Sequence, residues 1–207
     1  MSELALPIDI ESVKGFMAPE EGAALYHAAL GEADKGPCLE IGSYCGKSTV
    51  YIGVACQKRG SVLYALDHHQ GSEENQQGWE HHDPALHDPS TGKLDTFPLF
   101  RDTMRRAGLE DTVVPLVAPS TVVSKQWATP LAMVFIDGGH GLDHALADYR
   151  HWAPRVMPGG LLAIHDVFPD PADGGPPPFE IYQMALASRL FEEVGAVMSL
   201  RLLRRVG

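Results

Sequence analysis

Short unbroken apolar runs alternate with stretches whose apolar positions recur at helical spacing, and this alternation dominates the middle of the chain. Residues 37–42, 62–67, 112–117, 132–137 and 161–165 read as buried strands, since each is a compact, mostly apolar run bounded by turn signals. Residues 47–57, 94–107, 122–127 and 142–153 read as the helices between them. In the last of these, Leu142, Ala145, Leu146, Tyr149 and Trp152 fall on one face. Gly108 is a natural stop for the second. Pro154 and a turn at 158–160 are expected to close the fourth unit before the fifth strand begins.

Continuous apolar strands joined by amphipathic helices need cover on both faces, which predicts an α/β, doubly wound, mostly parallel sheet. Beyond Pro178 a helix is expected through about Glu192. In residues 197–204, Ser199 and Arg201 alternate with Met198, Leu200 and Leu202, which suits a less buried, antiparallel last strand. The whole chain, 1–207, reads as a single domain, with a helix near 20–32 inside an N-terminal helical cap at 1–35. Two loop insertions near the cleft break the pattern. Residues 68–93 are rich in His, Asp, Gln, Gly and Ser, with His68, His69, His81, His82 and His87 among them, and read as a polar surface loop, the alternative being a segment that closes over substrate or brings metal ligands. Residues 167–178, VFPDPADGGPPP, are kept out of helix and central strand by proline and glycine and read as a substrate lid or a spacer.

Composition narrows the partners. The net charge is −11, with 27 acidic against 16 basic side chains. Such a surface repels phosphate backbones and anionic lipid, so neither nucleic acid nor membrane is expected as a partner. No run is long and apolar enough to span a bilayer. The three cysteines, Cys38, Cys45 and Cys56, and an N-terminus without a targeting pattern suit reduced thiols in the cytoplasm. A homodimer is left open.

Open α/β sheets bind ligands at the carboxyl ends of their strands, so the residues just past each strand are the candidates. The first strand runs into Glu40-Ile41-Gly42-Ser43-Tyr44-Cys45-Gly46-Lys47-Ser48, where glycines allow close approach to a ligand and the next helix offers free N–H groups. A plain strand-to-helix turn would look the same. Asp67 ends the second strand, where a carboxylate accepts both ribose hydroxyls of an adenosine, or caps a helix. Ser120 follows the third and either meets an adenine edge or caps the next helix. The fourth ends in Asp137-Gly138-Gly139-His140 and the fifth in His165-Asp166. Asp137, His165 and Asp166 in one crevice would bind a divalent cation, and His140 would act as general base. Otherwise the aspartates cap loops and the histidines satisfy backbone groups.

Cys38-Leu39-Glu40-Ile41-Gly42-Ser43-Tyr44-Cys45-Gly46-Lys47-Ser48-Thr49 resembles the first motif of class I S-adenosylmethionine-dependent methyltransferases. It is most similar to the catechol O-methyltransferase type and to small O-methyltransferases of natural products and sugars. The segments 133–140 and 158–166 resemble the fourth- and fifth-strand motifs of that group, so the likeness covers about residues 37–167. It implies a Rossmann-like fold with a seven-stranded sheet, and methyl transfer from S-adenosylmethionine to a small-molecule hydroxyl with a divalent ion assisting. Glu40, Gly42, Ser43, Tyr44 and Gly46 would line the methionine part, with Ser48 at the helix start. Asp67, followed by His68, would hold the ribose, and Ser120 would face the adenine. Asp137 would lie between cofactor and metal, with His165 and Asp166 as paired metal ligands. His140 falls where catechol-type enzymes carry a lysine base. Histidine at 165 replaces an oxygen donor, which leaves open magnesium, manganese, a softer ion such as iron or zinc, or no metal.

Other nucleotide folds fit less well. Gly46-Lys47-Ser48 suggests a phosphate loop, but only three residues separate Gly42 from Gly46 where four are needed. G-x-G-x-x-G, the dinucleotide signature, is absent. A non-catalytic S-adenosylmethionine sensor would have no use for the polar groups after the fourth and fifth strands.

Overall fold

A computed structural model describes residues 4–71, 83–88, 90–139, 141–168, 170 and 176–207. The helix α1 (Pro19–Glu32) precedes β1 (Cys38–Ile41), α2 (Lys47–Arg59) and β2 (Leu63–Asp67). Two short strands, β3 (His87–Asp88) and β4 (Lys93–Leu94), pair with each other ahead of α3 (Phe97–Ala107). Then come β5 (Val113–Val117), α4 (Ser120–Val123), β6 (Leu131–Ile136), α5 (Leu142–Trp152), β7 (Val156–Ile164), α6 (Pro176–Ala187), β8 (Phe191–Val197) and β9 (Leu200–Arg205).

Seven strands form one sheet in the order β5-β2-β1-β6-β7-β9-β8. The first five are parallel, and β9 runs antiparallel to both β7 and β8. Side chains alternate across the sheet and so sort into two cores. Cys38, Met133, Phe135, Leu161 and Ala163 pack under α1, α2 and α3. Leu39, Val134, Ile136, Leu162 and Ile164 pack under α5 and α6. Pro115, which lacks a ladder donor, is tolerated because β5 is an edge strand.

Four local expectations change. The turn at 158–160 lies inside β7, where a register shift between Leu131 and Met133 absorbs the extra residues. Pro176, Pro177 and Pro178 open α6 instead of closing a loop, because first-turn N–H groups have no helical partner to lose. That helix stops at Ala187, and residues 191–197 form β8; its exposed Glu192 and Glu193 suit an edge strand and mask its strand character. The third helix starts at Phe97, and part of the polar insertion is packed, with Leu86 and Leu94 buried against Cys45 and Tyr44. Among the described residues no helix is long and apolar enough to cross a membrane.

Candidate active site

Strand order reverses at β1, whose two neighbours are β2 and β6. The parallel strands β2, β1, β6 and β7 therefore end side by side, carrying Asp67, Gly42, Asp137 and His165-Asp166 to one edge. Asp137 N–H donates to the Ile41 carbonyl at 2.9 Å, which draws the first and fourth tips together.

The first tip depends on two glycines. Gly42 has φ +89°, and a Cβ there would lie 2.0 Å from the Asp137 carbonyl oxygen. Gly46 has φ +94°, and a Cβ there would press on Met104, Thr103 and Phe100 of α3. Gly46 also begins α2 with no side chain capping the helix, so first-turn N–H groups are left to an anionic ligand. Ser43 Oγ is buried with no hydrogen-bond partner among the described residues. Uncapped donors, a buried orphan hydroxyl and two close-approach glycines fit an amino-acid moiety such as the methionine part of S-adenosylmethionine.

Glu40 lies on the α2 side of the sheet and is fully buried. The hydroxyls of Ser48 and Thr49 donate to its two oxygens at 2.6 and 2.5 Å. Glu40 and Ser48 thus bind each other and brace the start of α2 from beneath. Burial pushes the Glu40 carboxyl up to about 8; the two hydroxyls oppose this, while Asp137 and Asp67 add to it.

Asp67 accepts from the backbone N–H of Tyr44 at 2.8 Å and of His69 at 2.7 Å. Both donors have positive φ, 45° and 58°, so one carboxylate holds two bent backbones. Each oxygen keeps acceptor capacity for a ribose hydroxyl. His68 is exposed and its Nδ1 accepts from Gln70 N–H at 3.0 Å. Its neighbour His69 is the buried one, paired with Thr96 Oγ1 at 2.8 Å and lying against Phe97 and Phe100. Burial pushes the His69 imidazole down.

Ser120 is the first residue of α4, and its hydroxyl donates to Asp148 of α5. Pro119, not Ser120, occupies the cap position. Asp148 is buried beneath Gly138, and burial raises its carboxyl above the usual range.

Asp137, His165 and Asp166 each offer a ligand atom, all within 4.8 Å of one another. His165 Nδ1 lies 3.0 Å from Asp137 Oδ1 and 3.4 Å from Asp166 Oδ1. Asp166 adopts φ 56°, an uncommon backbone state that turns its carboxylate back toward the ring. A residue absent from the sequence reading completes the group: Glu21 of α1, whose Oε2 lies 3.0 Å from His165 Nε2. Its other oxygen accepts from Ser199 N–H at 2.8 Å and Oγ at 2.7 Å. Burial alone would lower the His165 imidazole, but Asp137, with Asp166 and Glu21, outweighs it and holds the ring charged, far above its usual range. Burial would raise Glu21, yet the bonds from His165 and Ser199 bring it down to about 2. One sequence signal was available: Glu21 is four and eight residues before Leu25 and Ala29, on the buried stripe of α1. His140 lies outside the described residues, as do His81 and His82 of the first insertion.

Comparison with known proteins agrees with this fold. Rv0187 from MTB, solved with cofactor bound, superposes with TM-score 0.66 at 17% identity, over 95% of this chain and 85% of that one. The O-methyltransferase NovP gives 0.66 at 18% identity, over 91% and 79%. TomG from Streptomyces achromogenes, an O-methyltransferase involved in tomaymycin synthesis and solved with S-adenosylmethionine, gives 0.62 at 17%, over 93% and 82%. At these identities the likeness establishes a shared fold. The sequence pattern of a family described as Methyltransferase domain matches residues 39–167, more than half of the chain and the span that carries every strand tip described above. The chain therefore belongs to that methyltransferase domain family, among the class I S-adenosylmethionine-dependent methyltransferases.

Proposed function

We propose that this enzyme transfers the methyl group of S-adenosylmethionine to a hydroxyl oxygen of a small molecule, with a divalent cation assisting. The observation that carries the reading is the grouping of Asp137, His165 and Asp166 at the strand edge that also holds Gly42 and Asp67. NovP and TomG, both described as O-methyltransferases, support the choice of an oxygen acceptor.

S-adenosylmethionine supplies a methyl group already activated on sulfonium, so the chain has mainly to align the reactants and remove a proton. In this reading Ser43, Tyr44, Gly46 and the start of α2 hold the methionine part, Glu40 and Ser48 brace that loop, and Asp67, followed by His68, holds the ribose. Ser120 marks the adenine side. The donor set fits a divalent ion: two carboxylates and one ring nitrogen face each other, and the remaining ring nitrogen donates to buried Glu21. An ion held there would ease loss of the acceptor's hydroxyl proton. To hold an ion there, His165 Nδ1 would release its proton to solvent. His140, three residues beyond Asp137, is the proposed general base. The three buried free cysteines suit a reducing cytoplasm.

Calorimetry with S-adenosylhomocysteine, followed by methyl-transfer assays on phenols, sugars and amines with and without Mn²⁺ or Mg²⁺, tests the proposal. Asp137→Ala should lose at least about a hundredfold in turnover while staying folded. Wild-type turnover in that variant, or transfer to amines alone and independent of any ion, would overturn it.

A further inference from the structure

We propose that Glu21 is a positioning residue of the cation site, holding the His165 ring so that Nδ1 faces Asp137 and Asp166. The resulting mixed nitrogen–oxygen set selects a borderline divalent ion, of the manganese, iron, cobalt or zinc class, over magnesium. The inference rests on the reading that these three residues hold a cation, and adds a fourth residue and an ion preference to it.

A ring tethered only at Nδ1 can turn over about its Cβ–Cγ axis and present carbon where nitrogen is needed. The bond from Nε2 to Glu21 Oε2 at 3.0 Å removes that freedom, because the turned ring would set a C–H against a buried carboxylate. Glu21 cannot turn away either, since Ser199 occupies its second oxygen with both backbone N–H and hydroxyl. Three distant segments, α1, the end of β7 and the β8–β9 turn, are thus arranged to fix one imidazole. Ligating histidines usually pass their second ring N–H to a carboxylate in this way, which fixes the ring and strengthens it as a ligand. Magnesium prefers oxygen ligands, whereas imidazole suits borderline transition metals. Glu21 and Ser199 both lie outside residues 39–167, so this device is not part of the span shared with the family.

The test is calorimetric titration of the full chain with Co²⁺ and with Mg²⁺ separately, with folding of each variant checked by circular dichroism. Wild type should bind Co²⁺ more tightly than Mg²⁺. Glu21→Gln should lose about 10- to 100-fold in Co²⁺ affinity with a much smaller change for Mg²⁺. Ser199→Ala, which loosens Glu21 without removing it, should move the same way by a smaller factor, and it decides the matter where Glu21→Gln does not fold. Wild-type Co²⁺ affinity in a folded variant, or equal losses for both ions, would overturn the positioning role. If wild type binds neither ion, the cation reading itself fails, a result distinct from failure of Glu21.

Discussion

The backbone of Gly42 passes so close to Asp137 that no side chain fits between them: a Cβ would stand 2.0 Å from the Asp137 carbonyl oxygen. The contact joins the loop that would hold the cofactor to the strand end that would meet the acceptor. Gly42→Ala must therefore displace one of the two, and it also places an L side chain at φ +89°. The expected result is at least about a tenfold loss of S-adenosylhomocysteine affinity together with a destabilisation of about 1–3 kcal/mol. Calorimetry and a urea melt measure both. Unchanged binding would show that the two loops move apart freely.

Asp67 holds the N–H groups of Tyr44 and His69 before any ligand arrives. Asp67→Ala should weaken cofactor binding by about 10- to 100-fold, since hydrogen bonds to a charged group are worth about 1.5–3 kcal/mol each. Turnover at saturating S-adenosylmethionine should fall far less. Steady-state kinetics over a range of cofactor concentrations separates the two, and a kcat loss at constant KM would place Asp67 elsewhere in the mechanism.

Glu40 makes stability depend on pH in an unusual direction. Its carboxyl is raised from about 4.5 to about 8 in the folded chain. Between those values the folded state keeps a proton that the unfolded state has lost, so this residue's contribution to stability falls as pH rises from 4.5 and levels off above 8. Glu40→Gln, a permanently neutral isostere, should flatten the decline and gain on wild type toward pH 9. Urea unfolding from pH 5 to 9 reads this directly. Parallel profiles for the two proteins would mean Glu40 is ionised throughout.

Ser120 and Asp148 form a half-buried pair between α4 and α5. Removing the hydroxyl leaves a buried carboxyl without that donor, so Ser120→Ala should cost about 1–3 kcal/mol. Asp148→Asn should cost less when added to Ser120→Ala than when made alone. A double-mutant cycle by chemical denaturation checks this; strict additivity would show that the contact carries no coupling.

The strand tips that make up the candidate site were legible because they are local features. An apolar run such as Leu131–Ile136 ends where its first carboxylate appears, and a parallel sheet then aligns such ends on one edge. Gly42 and Gly46 were legible for the same reason, as backbone bends written into single residues. The Pro-Gly-Gly at 158–160 misled because it reads as a turn, whereas a register shift against β6 keeps it within β7. Likewise, FEEVGAV carries too much charge to announce itself as a strand, and only its pairing with β9 makes it one.

By itself the sequence determined the alternation of strands and helices, the doubly wound class, and which residues stand at the tips, because hydrophobic periodicity and glycine act over a few neighbouring residues. Only the tertiary structure decided what those residues touch. Glu40 turned to Ser48 and Thr49, Ser120 to Asp148, and His165 to a carboxylate 144 positions earlier in the chain. Such bonds depend on how helices seat against the sheet: the first turn of α1 meets the end of β7 and the β8–β9 turn while Leu25 and Ala29 are buried in the core, and that seating delivers Glu21 to the imidazole.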